Sequence, residues 1–444
     1  MKSKTLALFL FCGAVLCAFA QDAIKSAADG YVSSYTSKSS FSVDGMEVVT
    51  TPDTQYVRRV KQGGGYTDTS DPSLADHLAL GTQVQVFGDR NGQHQIVAQQ
   101  IFFKQPSPQN DNVSGEAVIQ KVISNQPNLT VEADGYRISI PATVNIQRQG
   151  SLAANAPPAE NLWLIYTGKL GADGLVVANQ ATLKPFVFGF RSKDALRAEG
   201  DKFLAPDYAA NRAGKVNLGF GIGGSIPADQ KLQQRLQTIG ERLIPECQRS
   251  MADSDLQKIH FHFYAFDNKK FRIPVASQDG NVFVTVQTVE RMQNDDELAA
   301  VLADAIAQAL EWQPIQKILQ QRSDASAMMG IAGLPFVGPL AALTLDSAAL
   351  SKAHGAHTGG QNTERQRARV SLALLHDAGY DVYQAPVAWQ LLMAKNAKKA
   401  LTEPMPPLSK YLWSVLVEEY PVSSGKAGAP TESAASKSLV DHGN

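Results

Sequence analysis

NDDELAAVLADAIAQALEWQ, running from Asn294 to Gln313, is the stretch on which the reading of this chain turns. Leu298, Val301, Leu302, Ala305, Ala309 and Leu310 recur at three- and four-residue spacing and predict one helix with an apolar stripe. Asn294 is placed to cap it, Glu297 follows three residues later, and Asp295 and Asp296 suit its positive end. Periodicity alone makes it a core helix.

Outward from this helix, the C-terminal half alternates helical and strand-like patterns. KLQQRLQTIGERLIPEC carries Leu232, Leu236, Ile239 and Leu243 at helical spacing, and HFHFYAFD and NVFVTVQTVERM follow as two strand-like segments. Met328–Leu345 is long enough for a membrane span. Pro335, Pro339, Gly330, Gly333 and Gly338 make buried helical turns the better expectation. Gly355–Asn362 reads as a loop. ERQRARVSLALLHDAGYDVYQAP (Glu364–Pro386) reads as a second helix and turn, and a last helix is expected between Pro404 and Tyr420.

Residues 28 to about 190 are rich in Val, Ile, Thr, Gln and Gly in short alternating runs, which predicts strands. They contain an internal repeat. FSVDGMEVVTTPDTQYV, from Phe41, resembles LTVEADGYRISIPATVNI, from Leu129, with Asp44-Gly45 and Asp134-Gly135 as hairpin turns. TQVQVFGDRNGQHQIVAQQI, from Thr82, resembles WLIYTGKLGADGLVVANQA, from Trp163, through Gly88 and Gly168. Two tandem barrels of roughly 75–80 residues are expected. They resemble OB-like modules of unknown function on secreted bacterial proteins. KVNLGFGIGGSIP (Lys215–Pro227) has glycines without the context of a phosphate loop and is read as a linker or loop.

The chain opens with Lys2 and Lys4, an apolar run, and Ala18-Phe19-Ala20, the pattern of a cleaved signal peptide. Cys12 and Cys17 lie inside it without a convincing lipid-attachment context. Cys247 is then the one remaining thiol and is expected to be buried and inert. The expected organisation is a signal peptide (1–20), β-modules over 21–107 and 108–190, and a linker over 191–225. A mainly helical α+β domain over 226–422 and a disordered tail over 423–444 complete it. With 44% hydrophobic residues, 19% charged and a net charge of -1 over 444 residues, the composition is that of a globular protein. It offers no basic excess for nucleic acid. Export to periplasm or medium is expected, with no transmembrane span after signal cleavage.

DELAAVLADAIAQ resembles the signature helix of metallopeptidase family 48, the HtpX-like and CAAX prenyl endopeptidases. There the line typically reads DELAAVLAHEIAH, and Glu364–Pro386 resembles that family's second signature. The resemblance spans about Ala228 to Pro386 and implies a gluzincin-type α+β domain. In an HExxH helix two histidines on one face bind zinc and the glutamate polarises water. Here those positions hold Asp304, Ala305 and Gln308. The third ligand and the following aspartate align with Arg365 and Arg369; Glu364 lies one residue off, about 100° around the helix. Arginine would repel zinc. The resemblance therefore implies a pseudopeptidase with no catalytic or metal residues, and Asp304 is expected to pair with Arg365 or Arg369.

A zinc cofactor belongs only to a rival reading, with Asp304, Glu364, His260, His262, His354 or His357 as substitute ligands. No Ser/His/Asp order supports a serine hydrolase. The expected function is binding of a peptide or envelope protein by strand addition. A further alternative is an envelope scaffold acting through the β-modules.

Overall fold

The computed structural model describes residues 26–62, 65–104, 112–171, 173–185, 214–219, 222–255, 258–269, 271–276, 280–321, 361–394, 400 and 403–420. The expected signal segment, Met328–Leu345, His354, His357 and the tail from Ser423 lie outside them, as do the side chains of Glu364 and Arg365.

The alternating N-terminal sequence folds into two barrels. In the first, β1 (Ser26–Ser37), β2 (Ser40–Val43), β3 (Met46–Gln62), β5 (Gln83–Arg90) and β6 (Ile96–Lys104) close in the circuit β1-β2-β3-β6-β5 and back to β1. The β3–β6 pair is parallel and the others are antiparallel. Strand β4 (Gly65–Ser70) adds to the far part of β3. In the second barrel β7 (Asn112–Ser124), β8 (Leu129–Ala133), β9 (Tyr136–Ile140), β11 (Leu162–Leu170) and β12 (Leu175–Pro185) close in the same circuit, again with one parallel closing pair, β9–β12. Strand β10 (Ile146–Arg148) continues along β12. The first barrel covers that path with one long strand, β3, whose register against β6 shifts between Thr50 and Gln55.

The repeat extends to single residues. Asp44 and Gly45 have φ of 53° and 77°, and Asp134 and Gly135 have 59° and 73°. Two successive positive-φ residues are what a two-residue hairpin turn matching strand twist requires. The ladders β5–β6 and β11–β12 both shift register at the matching glycines, Gly88 and Gly168. A Cβ on Gly168 would come within 2.5 Å of the Val177 carbonyl oxygen. Period-two alternation fills each barrel with its own core: Val32, Phe41, Val86 and Ile101 in one, Ile119, Val131, Ile138 and Leu164 in the other.

Beyond the barrels come a hairpin of β13 (Lys215–Gly219) and β14 (Ile222–Ser225), then α1 (Gln230–Leu243) and the short α2 (Glu246–Arg249). The linker expectation for Lys215–Pro227 is thus corrected. The hairpin forms because Val216 and Ile226 bury their side chains and Gly224 admits the Asp267 carbonyl closely. A three-stranded sheet follows, ordered β15 (His262–Phe266), β17 (Asn281–Thr285), β16 (Val275–Ala276). The strand-like reading of Asn281–Met292 holds only to Thr285. There the Thr285 hydroxyl accepts from the Thr288 N–H and starts α3 (Val286–Arg291).

Helix α4 (Asp295–Gln321) contains the opening stretch and runs past its expected end. Asn294 Oδ1 accepts from the Glu297 N–H at 2.8 Å, and Glu297 Oε2 accepts from the Gln293 N–H at 2.6 Å. The first bond satisfies one of the orphan donors of the helix, and the second ties down the residue before its cap. From Leu298 to Ala309 every side chain is buried, not only one stripe. A helix enclosed all round must be largely apolar; the alanines between the stripe positions allow it, and Asp304 and Gln308 are the polar exceptions. It is packed by Leu236 and Ile239 of α1 and Leu372 and Leu375 of α5 (Gln361–Asp377). Leu391 and Leu392 of α6 (Gln384–Met393) belong to the same core, as does Leu412 of α7 (Pro407–Glu419). Among the described residues no helix is long and apolar enough to cross a membrane.

Candidate functional site

Asp304 sits mid-way along α4, 8% exposed, with Oδ1 3.1 Å from Nε of Arg367 on α5. Burial pushes its carboxyl up from the ordinary range, and the Arg367 guanidinium works against that rise. The pair joins the two helices as expected, but through a different arginine. Arg367 lies two residues from each expected position, about 200° around the helix. The face of α5 turned to α4 is therefore not the face carrying Arg369.

Ala305 is fully enclosed, packed with Leu302 and Ile306 in the main core. Gln308 is nearly so, and its Nε2 finds no hydrogen-bond partner among the described residues. His262 is exposed on β15, its ring 6.4 Å from that of Tyr264. His260 precedes the strand rather than alternating within it. Among the described residues no three His, Cys, Asp or Glu side chains converge as a metal site would need. An arginine-paired carboxylate, an alanine and a carboxamide do not fit a zinc ion, which takes thiolate, imidazole or carboxylate donors. Cys247 is buried on α2, and burial pushes its thiol up to about 12, the inert state expected of it.

Arg369, the other aligned position, serves a different contact. Its Nε donates to the Asp134 carbonyl at 3.0 Å and its Nη2 to Asp134 Oδ1 at 2.9 Å. Its guanidinium lies over the Tyr136 ring, 4.3 Å from the centroid. Tyr166 donates its hydroxyl to Asp134 Oδ2 at 2.9 Å, and Glu419 of α7 stands 3.9 Å from Arg369 Nε. Burial raises the carboxyls of Asp134 and Glu419, with Arg369 opposing it in both. The Asp-Gly tip of the second barrel is thus plugged into the helical domain against Arg369.

The first barrel does the same with its equivalent tip. Asp44 takes the Lys410 ammonium of α7 at 2.7 Å, and the Met405 N–H donates to both its carbonyl and its Oδ1. A Cβ on Gly45 would meet the Gln390 amide and, at 2.8 Å, the Glu403 carbonyl oxygen; one on Gly135 would meet Arg369 and, at 2.6 Å, the Val370 nitrogen. Each tip is a left-handed turn pressed so closely on the helices that only glycine fits its second position. The Asp-Gly signals marked the hairpins in the sequence. Nothing in the sequence paired them with cations 366 and 235 residues away.

No curated protein sequence matches the chain. The comparisons give no evidence for the family-48 peptidase resemblance. They do reach the first barrel, where residues 29–101 match the model of the Domain of unknown function (DUF5666).

Proposed function

We propose that this chain is an exported, non-hydrolytic binding protein, in which two OB-like barrels are held on a peptidase-like helical domain that takes an extended peptide. The observation that carries this reading is the Asp304–Arg367 pair, which occupies the place where the resemblance puts a zinc ligand. Beside it Ala305 has no atom to accept a proton from water and lies sealed in the core. The closed five-stranded circuit of each barrel, with its third and fifth strands parallel, supports the OB-like reading.

Strand addition needs a free sheet edge. The outer edge of β15 is occupied: the Gln233 carboxamide donates to the Ala265 carbonyl and accepts from the Ala265 N–H, both at 3.2 Å. The Asp267 N–H is taken by the Ser225 carbonyl. The other edge of the sheet is β16, whose Val275 and Ala276 are 1% and 4% exposed beside α4, so strand addition there requires that edge to be uncovered when the peptide binds.

The test is elemental mass spectrometry on the purified, dialysed protein, with titration of a fluorescent unfolded peptide and gel analysis of that peptide. Near-zero zinc, saturable binding and an intact peptide are expected. One zinc per chain, or cleavage, overturns the non-hydrolytic reading; absence of binding overturns the peptide ligand.

A further inference from the structure

Four carboxyl groups gather where the second barrel contacts the helical domain. Arg369 serves Asp134 at 2.9 Å and Glu419 at 3.9 Å, and Lys121 of β7 holds Asp377 of α5 at 3.0 Å. Glu132 on β8, 6% exposed, pairs across the strands with Lys121, which sets its carboxyl beside that of Asp377, close enough for a hydrogen bond. Two carboxylates have only acceptors between them, so the bond exists only while one carries a proton. Lys121 is the cross-strand partner of Glu132 as well as the partner of Asp377, so one ammonium stands between two carboxyls.

We propose that docking of the second barrel on the helical domain is proton-linked: the contact closes with a proton held between Glu132 and Asp377 and loosens when that proton leaves.

The surroundings decide where the proton sits. Burial, then the Asp377 charge, push the Glu132 carboxyl up to about 7. Burial also works to raise Asp377, but hydrogen bonds from His376 and Lys121 outweigh it and hold Asp377 down at about 2. Glu132 is thus the protonated partner. Every element around it contributes. From β7 comes Lys121; from α5 come His376 and Asp377; Arg137, its cross-strand neighbour on β9, is exposed, donates to the Asp173 carbonyl and acts on Glu419. On α2, Arg249 acts on Lys121 and the Cys247 thiol stays neutral. Glu160 is engaged by the Val122 N–H, and Tyr420 after α7 is a neutral phenol.

The sign follows from the raised value. The docked state binds a proton that the free carboxyl releases near 4.5, so above about pH 4 docking is strongest at the acid end; below that, protonation of Asp377, which the contact holds low, works the other way. Docking weakens as pH rises from about 4.5 to about 7 and is level above that. Between pH 5 and 7 this one group changes the docking constant on the order of 40-fold.

The experiment uses the full chain with fluorophores at Val177→Cys on the barrel and Met393→Cys on α6, positions 46% and 48% exposed. Energy transfer is followed through urea titrations at pH 5, 6, 7 and 8. The urea concentration that separates the labels should fall between pH 5 and 7 in the parent, and fall much less in Glu132→Gln, whose side chain stays neutral. Asp377→Asn removes the second of the two pushes on Glu132 but not its burial, so it should shrink the pH dependence part-way, and it decides the matter if Glu132→Gln does not fold. Parent and folded variants with the same pH profile overturn the proposal.

Discussion

A buried charge is tolerated only while its partner is present, and Asp304 shows how much can depend on one arginine. Arg367→Met leaves the Asp304 carboxylate enclosed beside a thioether. A loss of about 3 kcal/mol in unfolding free energy at pH 7 is expected. Because burial already raises this carboxyl, the fold pays most when the group is ionised, so the loss should shrink as pH falls toward 4 and Asp304 takes up a proton. Asp304→Leu combined with Arg367→Met should recover most of it. Urea denaturation of the three proteins at pH 7 and pH 4 checks this; equal losses for the single variant at both pH values would contradict it. Of the two expected partners, the side chain of Arg365 lies outside the described residues and Arg369 faces Asp134 instead, because the aligned helix face does not say which way α5 is rotated.

At the scale of elements, one hairpin device is used twice. The β2–β3 and β8–β9 turns each end in Asp-Gly with both residues at positive φ, and each aspartate receives a cation from a helix. Gly45→Ala and Gly135→Ala should each lower stability by about 1–2 kcal/mol through the left-handed backbone alone. A further loss is expected from crowding against Glu403 or against Arg369 and Val370. Gly92→Ala, in the β5–β6 turn with open space around it, is the control and should be near neutral. Thermal melts rank the three. A Gly135→Ala variant as stable as Gly92→Ala would remove the tip from the account of docking. The hairpins themselves were legible from the Asp-Gly dipeptides and the flanking alternation, since turn chemistry is local. Their burial was not, since it depends on surfaces that the turn does not contain.

For the whole molecule, three apolar cores lie side by side. Each barrel encloses its own, and the third is built around α4. What joins them is partly ionic and partly aromatic: Asp44–Lys410, Asp134–Arg369, and Tyr31 stacked on Trp413 with ring centroids 6.5 Å apart. Equilibrium unfolding is therefore expected to depart from two-state behaviour, with barrel and helix signals changing at different urea concentrations. Arg369→Met should widen the gap for the second barrel by leaving Asp134 and Glu419 uncompensated. Far-ultraviolet circular dichroism against energy transfer from the Val177→Cys and Met393→Cys labels separates the signals. Coincident transitions in both proteins would mean the cores form one cooperative unit.

The sequence by itself determined what depends on near neighbours. The apolar spacing from Leu298 to Leu310 set the central helix, Asn294 and Glu297 set its start, and the paired repeats around Asp44-Gly45 and Asp134-Gly135 set two equivalent barrels. Tertiary structure alone decided what depends on rotation and approach. Thr285 capping a helix where a strand pattern continued is one such case, and Arg367 rather than Arg369 facing Asp304 is another. The crowding of Glu132 against Asp377, residues 245 positions apart, is a third. Periodicity fixes which residues share a face, but only packing fixes what that face meets.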